Sequence, residues 1–215
     1  MTTEPQRPAG GESLPPEQMV RTAWAFYLLL GLAGVVWVGM REGVIPLALF
    51  IDPATWWRDL AAGVGAGLAL LTAWNLGARR LAAARELESR LGRLLGPLGT
   101  DEAVTLAVLS GVAEELFFRG AVQGSWGWLW ASLSFAVLHS GPGRVFGLWT
   151  LFAAVAGGLL GGLMLWTGNL LAPVVAHVLI NAVNLRRLGA EQAARAGAAG
   201  AVDAPAADDV PDDTR

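Results

Sequence analysis

Long apolar runs dominate this chain, and a chain built that way is confined to elements that satisfy their own backbone hydrogen bonds inside a bilayer. A hydrocarbon core ~30 Å thick takes about 20 apolar residues of helix. Runs near that length occur at Thr22 to Met40, Leu60 to Leu76, Asp101 to Gln123, Phe146 to Thr167 and Leu170 to Leu185, and a shorter one at Trp128 to His139. The sequence therefore predicts an all-α polytopic membrane helix bundle of about six transmembrane helices. Leu47 to Ile51 is apolar but too short to cross. A hydrophobic share of 54% against 15% charged residues places the chain away from soluble domains.

Gly77 to Gly99 differs in character. Arg79, Arg80, Arg85, Arg90 and Arg93 alternate with Leu81, Leu87, Leu91 and Leu94 at spacings that suit an amphipathic interfacial helix. This is the richest arginine cluster between apolar runs, so the positive-inside rule places it in the cytoplasm, and both termini with it. Trp37, Trp56, Trp57, Trp126, Trp128 and Trp166 then gather at the opposite face as an aromatic belt. Residues 1–20 read as a disordered lead-in, 21–187 as a membrane-embedded domain, and 188–215 as a disordered acidic tail.

The composition excludes several classes of function. There is no cysteine, so thiol nucleophiles, disulfides and cysteine metal sites are excluded. The formal net charge of -3 comes from the acidic tail, and nothing in the charge pattern suggests a nucleic-acid partner. No phosphate-binding loop or nucleophile elbow is present. Gly157, Gly158, Gly161 and Gly162 form overlapping G-x-x-x-G pairs, which favour close helix packing.

Ionisable groups within apolar spans are costly and normally face a protein interior. Five stand out: Glu114, Glu115 and Arg119 in one span, and the chain's two histidines, His139 and His177, in two others. Glu115 and Arg119 stand four residues apart, acid first, which favours an ion pair on one helix face and leaves Glu114 aimed elsewhere. His139 follows Phe135 by four residues at a helix end marked by Ser140-Gly141-Pro142-Gly143, where a capping role is equally open. His177 and Asn181 share a helix face by the same spacing, as catalytic donors or as an interhelical hydrogen-bonded contact. Counted at 1.5 Å per residue from the nearest turns, Glu114, His139 and His177 all reach the middle third of the bilayer.

With these residues the chain resembles the CPBP family of intramembrane proteases, which includes type II CAAX prenyl proteases and bacteriocin-processing and abortive-infection membrane proteins. The matching motifs are E-E-x-x-x-R at Glu114, Glu115 and Arg119, F-x-x-x-H at Phe135 and His139, and H-x-x-x-N at His177 and Asn181, within the core 101–187. The resemblance implies an endopeptidase in which Glu114 and His139 activate water while His177 and Asn181 stabilise the oxyanion. Glu115, Arg119 and Phe135 become supporting residues.

It also implies a protein or peptide substrate at the membrane, with the lipid bilayer as surroundings and no nucleic acid. The favoured expectation is catalysis without a cofactor. Zinc held by Glu114, His139 and His177 is the alternative, since members of the family are often named metalloproteases. A non-catalytic scaffold or chaperone on the same fold and a small proton-coupled transporter are the other classes. Ala, Gly and Arg in place of Lys suggest a bacterium, and hence its cell membrane.

Overall fold

The computed structural model describes residues 16–202, and among them every regular element is helical. Helix α1 spans Pro16–Glu42 and is followed by a single 3-10 turn at Leu47–Leu49. Next come α2, Trp56–Arg80, and the amphipathic α3, Ala82–Leu95. Helix α4, Thr100–Glu115, continues without a break as a π-helix over Leu116–Gln123 and ends in the short α5, Gly124–Trp126. Helices α6, Trp128–Leu138, α7, Arg144–Thr167, and α8, Leu171–Val202, complete the bundle.

Membrane character shows in where the apolar side chains go. Phe26, Leu28, Leu29, Leu32, Val36 and Met40 of α1 are exposed, while Glu115, Arg119 and His177 are buried. That inversion suits a lipid surround. Helices α1, α2 and α7 are each long and apolar enough to cross a bilayer. The other spans expected among the about six differ from these three. Helix α4 with its π continuation, 16 and 8 residues, and α8, 32 residues, have the length, but their buried polar residues dilute the apolar character. Helix α6 has only 11 residues. At 1.5 Å per residue it extends about 17 Å, so it reaches roughly halfway across and ends with His139 inside the bundle.

The tail boundary also moves. Helix α8 runs on to Val202, because alanine, the best helix former, is the commonest residue of 188–202 and the segment includes a single acid, Glu191. Likewise α1 starts at Pro16, inside the expected lead-in. Residues 1–15 and 203–215, where the rest of both disordered segments was expected, lie outside the described residues.

Helix α8 is the central element, packed along both α2 and α4. Small residues make this possible. A Cβ on Gly63 would meet the Ala172 carbonyl oxygen at 2.5 Å, and one on Gly67 would meet that of Ala176 at 3.1 Å. Helix α4 approaches the other side of α8 at Gly111, whose added Cβ would lie 2.7 Å from Val178. The expected G-x-x-x-G packing of α7 rests on one pair, since Gly157 faces Ser132 and Phe135 and Gly161 faces Trp128 and Gln123, while Gly162 has open space. At the end of α7, Gly168 adopts φ 74°, the left-handed cap that turns the chain into α8.

Gly63→Ala should lower thermal stability by about 1–3 kcal/mol, because the obstacle is backbone. Gly65→Ala, two residues along with nothing within 4 Å, should be neutral or stabilising. Equal melting temperatures for the two variants in detergent would contradict this packing.

Candidate active site

The three polar constellations meet in one place. Glu114, next to last in the α-helical part of α4, is 5% exposed and directs Oε2 toward two imidazoles. His139 Nε2 lies 3.8 Å from that oxygen and His177 Nε2 lies 3.9 Å from it. Depth counting along the sequence puts the three groups in the middle third of the bilayer; the helix rotations in the structure turn them toward one point.

Their supports fix the ring orientations. Nδ1 of His139 donates to the Phe135 carbonyl at 2.8 Å, one turn back in α6. In the neutral ring this leaves a lone pair on Nε2, facing Glu114. Phe135 stacks on the same imidazole with centroids 4.3 Å apart, and its edge meets His177 at 5.8 Å. Nδ1 of His177 donates to Glu115 Oε1 at 2.7 Å, so its Nε2 carries a proton only in the imidazolium form.

Glu115 in turn accepts from Arg119 at 3.0 Å, the ion pair expected from their spacing, and neither side chain has exposed surface. Arg119 reaches onward to the Gly157 carbonyl at 3.1 Å, and its guanidinium lies 4.6 Å from the Phe135 ring centroid. Gln123, a further four residues along, donates to the Gly161 carbonyl at 3.0 Å. The close approach of α7 at Gly157 and Gly161 thus presents acceptors to two polar side chains of the π-helix. Such π segments occur often at functional sites.

Asn181 is one turn beyond His177. Its amide donates to Ser110 Oγ at 2.9 Å, and Ser110 is one turn before Glu114 on α4. One amide hydrogen is therefore committed and the second is left for another acceptor.

Glu114, Phe135, His139, His177 and Asn181 line a cavity of about 300 Å³ that runs from Glu114 to α3, while Glu115 and Arg119 lie behind it. Its walls are mainly apolar, with Trp149, Phe152, Leu106 and Leu160 among them. Several lining residues were not anticipated from sequence: Tyr27 of α1, Ser110, and Asn184 and Arg187 of α8. The last two follow from extending the His177 and Asn181 face, since residues 177, 181, 184 and 187 recur at helical spacing.

At the α3 end, Glu88 accepts from Trp74 Nε1 at 2.8 Å and from Arg187. Burial pushes the Glu88 carboxyl up, but the hydrogen bonds from Arg187 and Trp74 outweigh it and hold it below the ordinary carboxylate range. A depressed carboxyl stabilises the fold above its unfolded pKa and loses that contribution as pH falls through the folded value. Glu88→Gln should thus lower the melting temperature at neutral pH, and the gap from the parent should close below about pH 4. A gap unchanged with pH would show that the ion pair is not what holds α3.

Among the described residues, no group of three His, Cys, Asp or Glu side chains is arranged to hold a metal ion, so the label metalloendopeptidase has no support from their geometry.

Comparison with known proteins places these residues in context. Residues 101–183 match the family model described as type II CAAX prenyl endopeptidase Rce1-like. The uncharacterized protein YpbD of Bacillus subtilis (strain 168) is 44% identical over 82 residues, 37% of this chain and 42% of that protein. The chain thus matches less than half the length of this relative. No solved structure matches significantly.

Proposed function

We propose, from the match of residues 101–183 to the type II CAAX prenyl endopeptidase Rce1-like family model, that the chain is an intramembrane endopeptidase that hydrolyses a peptide bond in a membrane-associated or lipidated substrate. The observation that carries this reading is the Glu114 carboxylate set 3.8 Å and 3.9 Å from two imidazole nitrogens at the head of a largely apolar cavity.

A water between Glu114 and His139 gives one proton to the carboxylate and donates its other hydrogen to the free Nε2 of His139. The oxygen attacks the scissile carbonyl, and the carbonyl oxygen takes on negative charge. His177, as the imidazolium, and the uncommitted amide hydrogen of Asn181 donate to that oxyanion. Donors placed for such charge are each worth about 3 kcal/mol. Glu114 then returns its proton to the leaving amine as the C–N bond breaks, giving a new carboxylic acid and a free amine, and the acid's proton passes to the amine or to solvent. Glu115 holds the His177 ring in position, and Arg119 anchors Glu115. A scaffold would need no carboxylate between two imidazoles, and a carrier would need no oxyanion donors.

In this reading α3 and the cavity mouth face the cytoplasm of a bacterial cell, as the arginine content of α3 supports, and both termini lie on that side. Water activation is assigned to Glu114 and His139 without a metal. Exhaustive chelation should therefore leave activity intact, and His177→Ala should slow the chemical step with metal content unchanged. Stoichiometric zinc, lost with activity on chelation and restored with it on adding zinc back, would reassign Glu114, His139 and His177 as ligands.

A further inference from the structure

The supports within the site leave one gap. His139 is held by the Phe135 carbonyl, His177 by Glu115, Glu115 by Arg119, and Asn181 by Ser110. Glu114 is held by none of these. Its Oε2 has no hydrogen-bond partner among the described residues, and the two imidazole nitrogens stand 3.8 Å and 3.9 Å away. A carboxylate left to rotate would be a poorly placed base, because rates fall steeply with small errors of position.

Helix α1 supplies a polar group at this point. The chain has one tyrosine, Tyr27, and no other residue between Ala23 and Val38 carries a hydroxyl. Helix α1 lies close along α4, since a Cβ on Gly31 would stand 3.5 Å from that of Ala113 and one on Gly34 would stand 3.1 Å from the Phe117 nitrogen. Residue numbers rise together across this contact. Tyr27, one turn before Gly31, is therefore level with the turn of α4 that precedes Ala113, and the Glu114 side chain leans back toward that turn. Ala23 and Tyr27 are the residues of α1 that line the cavity, and the Tyr27 hydroxyl faces the Glu114 carboxylate. Its neighbours Phe26 and Leu28 are exposed. Tyrosines of an aromatic belt sit at the headgroups, whereas this one faces a group in the middle third of the bilayer, where an unpaired hydroxyl is costly.

Resting on the protease reading, we infer that Tyr27 is a positioning residue: its hydroxyl donates to the Glu114 carboxylate and holds it toward the water shared with His139. The hydroxyl keeps its own proton throughout, while Glu114 takes one from water and returns it to the leaving amine. Helix α1 lies outside the matched residues 101–183, so this support comes from a part of the chain that the family match does not cover.

The test has two arms, both on the full-length protein. Tyrosine labelled with a heavy carbon isotope at the hydroxyl-bearing ring carbon gives a single NMR resonance, because the chain has one tyrosine. That resonance should move upfield in Glu114→Gln, where a charged acceptor is lost, and stay in place in Gly65→Ala. In the second arm, membrane-anchored peptides, lipidated and unlipidated, are presented in vesicles. Tyr27→Phe keeps the ring and its packing, so kcat should fall about tenfold, as for one hydrogen bond to a charged group, with KM and melting temperature near the parent's. A resonance indifferent to Glu114→Gln, or an unchanged kcat in Tyr27→Phe, would overturn the role of Tyr27 and leave the protease reading standing. A resonance that moves, with no peptide cleaved by the parent, would leave the contact in place but overturn the protease reading and the positioning role with it.

Discussion

Glu114→Gln should abolish cleavage while leaving the bundle folded. The amide keeps the shape of the side chain and some hydrogen-bonding capacity, but it cannot take a proton from water. General-base catalysis contributes about 10²- to 10⁴-fold, so residual activity should lie at or below about 1%. The folded state should tolerate the change, because Glu114 Oε2 has no protein hydrogen-bond partner to lose. The comparison is between single-turnover rate and melting temperature in the same detergent. Near-parental turnover would remove Glu114 from the mechanism. Loss of turnover together with a collapsed melting temperature would assign Glu114 a structural role instead.

Arg119→Ala should have the largest effect on stability. Among the described residues, Arg119 is the only cationic partner of Glu115 other than His177, and both ends of the ion pair lack exposed surface. Removing one member of a buried pair leaves the other charge uncompensated and typically costs about 3–5 kcal/mol. The Gly157 carbonyl and the face of Phe135 lose their contacts with the guanidinium as well. Activity should fall too, because the Glu115 carboxylate that orients His177 is no longer anchored. Arg119→Lys should recover only part of the loss, since a point charge cannot serve Glu115 and the Gly157 carbonyl as the planar fork does. A melting temperature equal to that of the parent in Arg119→Ala would contradict the buried network.

The sequence carried the local part of this site and not the long-range part. Glu115 and Arg119 pair because i and i+4 share a helix face, which spacing alone reveals. The common depth of Glu114, His139 and His177 follows from residue counts to the nearest turns. Rotation does not, so the hydrogen bond from His177 to Glu115, across 62 positions, had no local signal. The π-helix at Leu116–Gln123 was also hidden, and the hydrogen bonds of its Arg119 and Gln123 to carbonyls of α7 join residues 38 positions apart, which have no local signal.

Other differences have readable causes. Helix α6 looked like a short crossing because its apolar run was judged by hydropathy, when its 11 residues limit it to half the depth. The segment after residue 187 looked disordered because its acids were averaged over the whole tail; most of them lie beyond Val202, and the alanine-rich stretch before them extends α8. Gly63 and Gly67 have the same spacing as the glycines noted in α7, yet only the position of α8 beside them shows that they allow close packing.

The central claim is that this chain hydrolyses a peptide bond inside the membrane with an activated water. Purified protein in vesicles should be given membrane-anchored peptides, lipidated and unlipidated, in water enriched in the heavy oxygen isotope, and the products weighed by mass spectrometry. The account predicts two fragments, with one heavy oxygen in the new carboxylate from a single turnover and no product from Glu114→Gln. Intact peptide after prolonged incubation with folded parent protein, or equal cleavage by parent and Glu114→Gln, would contradict it.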